Sequence, residues 1–203
     1  MTIDLAAMKG GIARLTVAME REFETLNAAD GALGDGDLGV TMTRGMRAIT
    51  EGAAELPTDL GQALLRCAQA FTKSSGSSYG TLMATGLMAM AKAVKGKESV
   101  EASEVSALVA LARDAMIARG KAELGGKTVL DSLDAVVQAT GGLSRPADVA
   151  QAAKDAVRAA LAAFHDKPAT VGRARIFAEK SRGMDDPGML AMTFIVEALT
   201  DRD

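Results

Sequence analysis

The chain has 203 residues, a formal net charge of −3 and 3% aromatic residues, with no tryptophan and one tyrosine; it therefore lacks the basic surface and stacking platforms of nucleic-acid binders. Its one cysteine, Cys67, excludes an internal disulfide and suits a reducing compartment. With no apolar run of roughly 18 residues and no signal-peptide pattern in "MTIDLAAMKGG", the expectation is a soluble cytoplasmic protein with no membrane partner, residues 1–203 forming one domain.

Eight amphipathic segments follow one another at helical spacing. The first carries Leu5, Met8, Ile12, Leu15, Met19, Phe23 and Leu26; the second Met42, Met46, Ile49 and Ala53. Leu60, Leu64, Cys67 and Phe71 stripe the third, and Tyr79, Met83, Leu87, Met90 and Val94 the fourth. The fifth uses Val105, Leu108, Ala112 and Met116, and the sixth Leu130, Leu133 and Val137. Val149, Ala153, Val157, Leu161 and Phe164 mark the seventh, and Leu190, Phe194 and Ala198 the last. Strand-type alternation is scarce, so the fold class is all-α, with the Met and Leu stripes as core.

The connections are of two kinds. Those after the second, fourth and sixth segments, "EGAAELPTD", "VKGKESVEAS" and "TGGLSRPAD", are ordinary helix stops and starts. Those after the first, third, fifth and seventh are richer: "DGALGDGDLG", "TKSSGSSYG", "GKAELGGKT" and "DKPATVGRARIFAEKSRGMDDPG". In an up-and-down antiparallel bundle, odd-to-even connections share one end. Helices of roughly 17 residues would separate that end from the other by about 25 Å. The four unusual loops are thus expected to converge.

The first of these loops clusters Asp30, Asp35 and Asp37, hard oxygen donors of the kind that Mg²⁺ or Ca²⁺ selects. An EF-hand explains the loop poorly, because its twelfth position would be Thr41 counting from Asp30, or Met46 counting from Asp35, where Glu is needed. Capping and turn chemistry could also place Asp and Gly here. "SSGSSYG" offers hydroxyls and backbone N–H groups before a helix, which suits an anion. "GKAELGGKT" is not a P-loop: the motif needs glycine five positions before Gly126, where Lys121 stands. "GRARIFAEKSRGMDDPG" brings Arg173, Arg175, Lys180 and Arg182, which can neutralise phosphate. The only histidine, His165, falls at the end of the seventh helix, where a helix-end role suits it better than catalysis. The equipment is that of phosphoryl transfer, which needs positioning and charge neutralisation more than a nucleophile.

The motifs "GDGDLGVTM", "SSGSSYGT", "RGKAELGGKTVLD" and "GRARIFAEKSRGMDDPG", in that order over about residues 5 to 200, resemble the nucleotide-binding L subunit of dihydroxyacetone kinases. The resemblance implies a closed barrel of eight antiparallel amphipathic helices with the nucleotide at one end. It implies two Mg²⁺ held by Asp30, Asp35 and Asp37, and ADP or ATP as the bound nucleotide. Leu38, Gly39, Val40, Thr41, Ser74 and Ser75 would line the phosphates. Gly120 and Val129 would border the adenosine, and Arg173, Asp186, Pro187 and Gly188 would close the site. Beyond metal and nucleotide ligands it implies no catalytic side chain. The sugar would sit on a separate K-type subunit, with ATP as donor in some members and a phosphotransferase-system protein in others. Leu38 replaces the family's usual His, Thr41 its usual Asn, and Thr72-Lys73 its usual Gly-Gly. These departures leave the ketose open and keep a second reading alive, a non-catalytic nucleotide-binding module that regulates a partner.

Overall fold

The computed structural model describes residues 2–74 and 76–201. Helix α1 (Leu5–Arg21) begins where Asp4 accepts the Ala7 N–H at 2.9 Å, and α2 (Phe23–Leu33) continues from it. The chain then forms α3 (Leu38–Glu51), α4 (Leu60–Ser74), α5 (Ser78–Ala93), α6 (Val105–Gly120), α7 (Val129–Thr140), α8 (Pro146–His165) and α9 (Pro187–Thr200). Several starts have a visible local cause. Ser77 caps α5, Thr128 and Asp131 form a capping box on α7, and proline opens α8 and α9.

The first predicted helix is therefore two segments. The chain bends at Glu22 (φ −91°, ψ 9°), yet Glu22 N–H still reaches Ala18 O and Leu26 N–H still reaches Glu22 O, both at 2.9 Å. The apolar stripe runs unbroken through the bend, so composition gave no sign of it.

The helices close a ring. α1 packs on α3, each later helix on the next, and α9 returns to α1, while α2 leans on α3 and α9. This is the closed barrel of eight antiparallel staves anticipated above, with α1 and α2 sharing one stave. Its interior is filled by side chains including Met19, Leu26, Met42, Phe71, Met116, Val157 and Ala191, all buried. α5 departs from its predicted stripe: its buried positions are Gly80, Ala84, Gly86 and Ala91, with Met83 and Met90 only part-buried. Small residues let α5 approach its neighbours closely; a Cβ on Gly86 would lie 3.1 Å from Met116 Sδ.

A short antiparallel pair of strands, β1 (Thr2–Asp4) and β2 (Ser99–Glu101), in register Ile3 to Val100, laces the end of the barrel away from the α2–α3 turn. Leu60, Val94 and Val100, with Ile3, Met8, Leu64 and Leu108 against them, form a separate apolar cluster there. No helix among the described residues is long and apolar enough to cross a membrane.

Candidate functional site

The last turns of α2 carry Asp30, and the turn from α2 to α3 supplies Asp35 and Asp37. Gly36, at φ +79°, takes the left-handed backbone that reverses the chain. The Asp37 N–H donates to Asp30 Oδ2 at 2.9 Å, which folds the turn back on the helix. Oxygen atoms of the three carboxylates consequently lie within 4.8 Å of one another. Burial pushes the Asp30 pKa up and the neighbouring Asp35 and Asp37 charges add to this, against the lowering effect of the Asp37 N–H. A cation would relieve the repulsion among these carboxylates. In the protein alone, Arg173 answers it by an ion pair with Asp35, and its guanidinium holds the Asp35 carboxyl below the usual range. The donor set, three hard carboxylate oxygen groups converging from one turn, fits Mg²⁺.

Asn27, one turn before Asp30 on α2, stitches the site together. Its Oδ1 accepts the N–H groups of Gly39 (2.8 Å) and Val40 (3.3 Å) and so caps α3. The two helices meet so closely that a Cβ on Gly39 would lie 2.2 Å from Phe23 O. Leu38 and Thr41, on the first turn of α3, are buried.

Three contacts tie the remaining loops to this end, as the parity of the bundle requires. Arg173 joins the α8–α9 loop to the α2–α3 turn. The Thr170 N–H donates to Gly126 O at 3.2 Å, joining that loop to the α6–α7 connection. The Tyr79 hydroxyl donates to Gly188 O at 3.3 Å, joining the start of α5 to the start of α9. Asp186 caps α9, accepting the Met189 N–H at 2.8 Å. It is buried, and burial raises its pKa to about 7.

Of the predicted site residues, Asp30, Asp35, Asp37 and Arg173 meet directly, and Leu38, Gly39, Val40 and Thr41 follow on the first turn of α3. Ser74 ends α4, its hydroxyl donating to Phe71 O at 2.9 Å; Ser75 lies outside the described residues. Gly120 closes α6 beside Leu82 of α5, and Val129 is buried at the start of α7. Asp186, Pro187 and Gly188 form the buried start of α9. His165 ends α8 and hydrogen-bonds Asp185 through Nδ1 at 2.9 Å, the helix-end role expected of it.

Sequence reasoning missed Asn27, Tyr79 and Lys127. Lys127 is fully buried, and its Nζ donates to the carbonyl oxygens of His165 (2.8 Å), Lys167 (2.9 Å) and Ser181 (2.8 Å). The one signal that could have found it is the "GGKT" string itself, whose lysine does not act as a P-loop lysine.

Comparison with known proteins gives a consistent set of likenesses. The sequence profile described as a DAK2 domain matches residues 32–201. The PEP-dependent dihydroxyacetone kinase 1, ADP-binding subunit DhaL, of Listeria innocua is 30% identical over 177 residues, spanning 87% of this chain and 85% of that protein. Human triokinase/FMN cyclase is 35% identical over 201 residues, but the match spans only 35% of the human protein. Among solved structures, the dihydroxyacetone kinase from C. freundii in complex with AMP-PNP and Mg²⁺ superposes with a TM-score of 0.76 at 24% identity. That superposition covers 96% of this chain and 33% of the other, and speaks for the fold.

Proposed function

The chain belongs to the DAK2 domain family, and from that membership we propose that it is the nucleotide-binding, phosphoryl-transferring subunit of a two-component kinase for dihydroxyacetone or a related short-chain ketose. The observation that carries the reading is the acidic triad, three carboxylates within 4.8 Å of one another at the end of the barrel where the four loops meet.

Asp30, Asp35 and Asp37 would hold two Mg²⁺, which when bound neutralise the nucleotide phosphates and polarise the bond being broken. The chain's own part is positioning. The Asn27 cap and the Asp37–Asp30 hydrogen bond fix the carboxylates before any ligand arrives, so little reorganisation is left for binding. Arg173, already drawn to Asp35, is placed to exchange that carboxylate for phosphate oxygens, a geometry that guanidinium suits. Leu38 to Thr41 and Ser74 and Ser75 would wall the phosphates. Because Asn27 occupies the Gly39 and Val40 amides, the phosphate charge falls to metal and arginine. Gly120 and Val129 would border the adenosine, and Asp186 to Gly188 would close the site. The acceptor sugar would be presented by a K-type subunit, and the bound nucleotide would be ATP, or ADP recharged by a phosphotransferase-system protein.

The test is calorimetric titration of ADP with Mg²⁺ and with EDTA. Wild type should bind only with the metal, and D35N and D37N should each bind at least tenfold more weakly. Equal binding by wild type and both variants would refute the site. One observation favours a second reading, a nucleotide-sensing regulator: Leu38 is buried apolar side chain at the head of α3, so that position offers no titratable group to the reaction. Metal-dependent binding without turnover by any K-type partner would establish that reading instead.

A further inference from the structure

Two costs fall on one residue outside the acidic triad. Lys127 is fully buried, although a buried ammonium is expensive unless fully hydrogen-bonded. It also sits at φ +61°, a left-handed backbone that a side chain with a Cβ adopts at a penalty. Among the described residues no carboxylate pairs with it, and its three acceptors are main-chain carbonyls. A methionine or leucine would fill the same space without desolvating a charge, so packing does not account for lysine here.

Its acceptors do. The carbonyls of His165 and Lys167 leave α8, and that of Ser181 lies near the return to α9. One nitrogen therefore gathers both ends of the segment between them. Within the segment, Ser181 Oγ accepts the Ala169 N–H at 2.7 Å, and Ala169 and Ala174 pack on Leu33, the last residue of α2. Arg173 stands beside Ala174, where that packing delivers it to Asp35. Burial pulls the Lys127 pKa down, while the Asp186, Asp185 and Asp166 charges pull it up.

We propose that Lys127 is a positioning residue of the nucleotide site: it staples the base of the 166–181 segment so that Arg173 is held over the acidic triad. The inference rests on the nucleotide-site reading above, and a readout that needs no nucleotide separates the two.

Two measurements on K127M, R173M and the double variant decide it. Limited trypsin digestion of the intact, ligand-free chain reads the staple directly, because Arg173, Arg175, Lys180 and Arg182 all lie on the segment or just after it. K127M should be cut there at least tenfold faster than wild type; an unchanged rate would overturn the proposal. Titration with Mg²⁺ and ADP reads the consequence. K127M and R173M should each weaken binding roughly tenfold, and the double variant should be no weaker than the worse single one. Losses that multiply would overturn the proposal, because Lys127 would then act by another route. K127Q, which keeps donor protons without the charge, should recover part of the loss. Failure of both Lys127 variants to keep the helical circular dichroism of wild type would also overturn it, since Lys127 would then hold the fold and not the segment. Absence of nucleotide binding in wild type would count against the nucleotide reading alone, with the digestion still deciding the staple.

Discussion

At the scale of single residues, the site end of the barrel collects groups whose charge is unfavourable in isolation. Asp186 shows it most simply. Its carboxyl is buried beneath α9, with a pKa near 7 in place of 3.8, so the folded chain keeps a proton that the unfolded chain has already released between those values. The stabilisation is complete below the unfolded value and is lost as pH rises through 7. D186N keeps the oxygen that accepts the Met189 N–H and removes the titration. Its melting temperature should therefore fall less than that of wild type between pH 4.5 and 7.5, with other carboxylates cancelling in the comparison; parallel profiles would refute the assignment. Such residues differ in how far the sequence exposes them. The Asp30, Asp35 and Asp37 triad is legible because its members lie within one turn of chain. Lys127 is not, because its acceptors lie 38, 40 and 54 residues away and the local "GGKT" string marks the lysine without showing what it binds.

At the scale of elements, the unit that matters is α2, its turn and the first turn of α3. Hydrophobic spacing located these helices, since an apolar stripe is written into the order of residues. It could not show that the chain bends at Glu22, where no glycine or proline marks the place, nor that α5 would bury its small residues. Both outcomes depend on what packs opposite. The joint between α2 and α3 rests on Asn27, whose single oxygen serves two amides. N27A should cost about 1 kcal/mol of stability, the usual value of a lost cap. It should also weaken Mg²⁺-dependent ADP binding several-fold, because Asp37 precedes the helix that Asn27 anchors. Chemical denaturation and calorimetry on the same variant measure the two effects; a stability loss with unchanged binding would show that the joint does not set the triad.

At the scale of the whole molecule, parity was the most informative part of the sequence. Alternating staves force every second loop to the same end, and the Arg173–Asp35, Thr170–Gly126 and Tyr79–Gly188 contacts are the outcome. Parity says nothing of how the ring closes, and closure is where α1 meets α9. There Arg14 Nε donates to Ala198 O at 2.9 Å, and Gly11 lies against Leu199. The seam between the first stave and the last is thus an ordinary helix contact, like those between staves that follow one another in the chain. A circular permutant is the natural consequence. Thr200 joined to Thr2 through a flexible linker of about ten residues, with new ends cut at the exposed Gly141–Gly142 turn, should keep the helical signal and bind Mg²⁺ and ADP as wild type does. Retained helicity without binding would mean that the order in which the staves are threaded, as well as their final arrangement, shapes the mouth of the barrel.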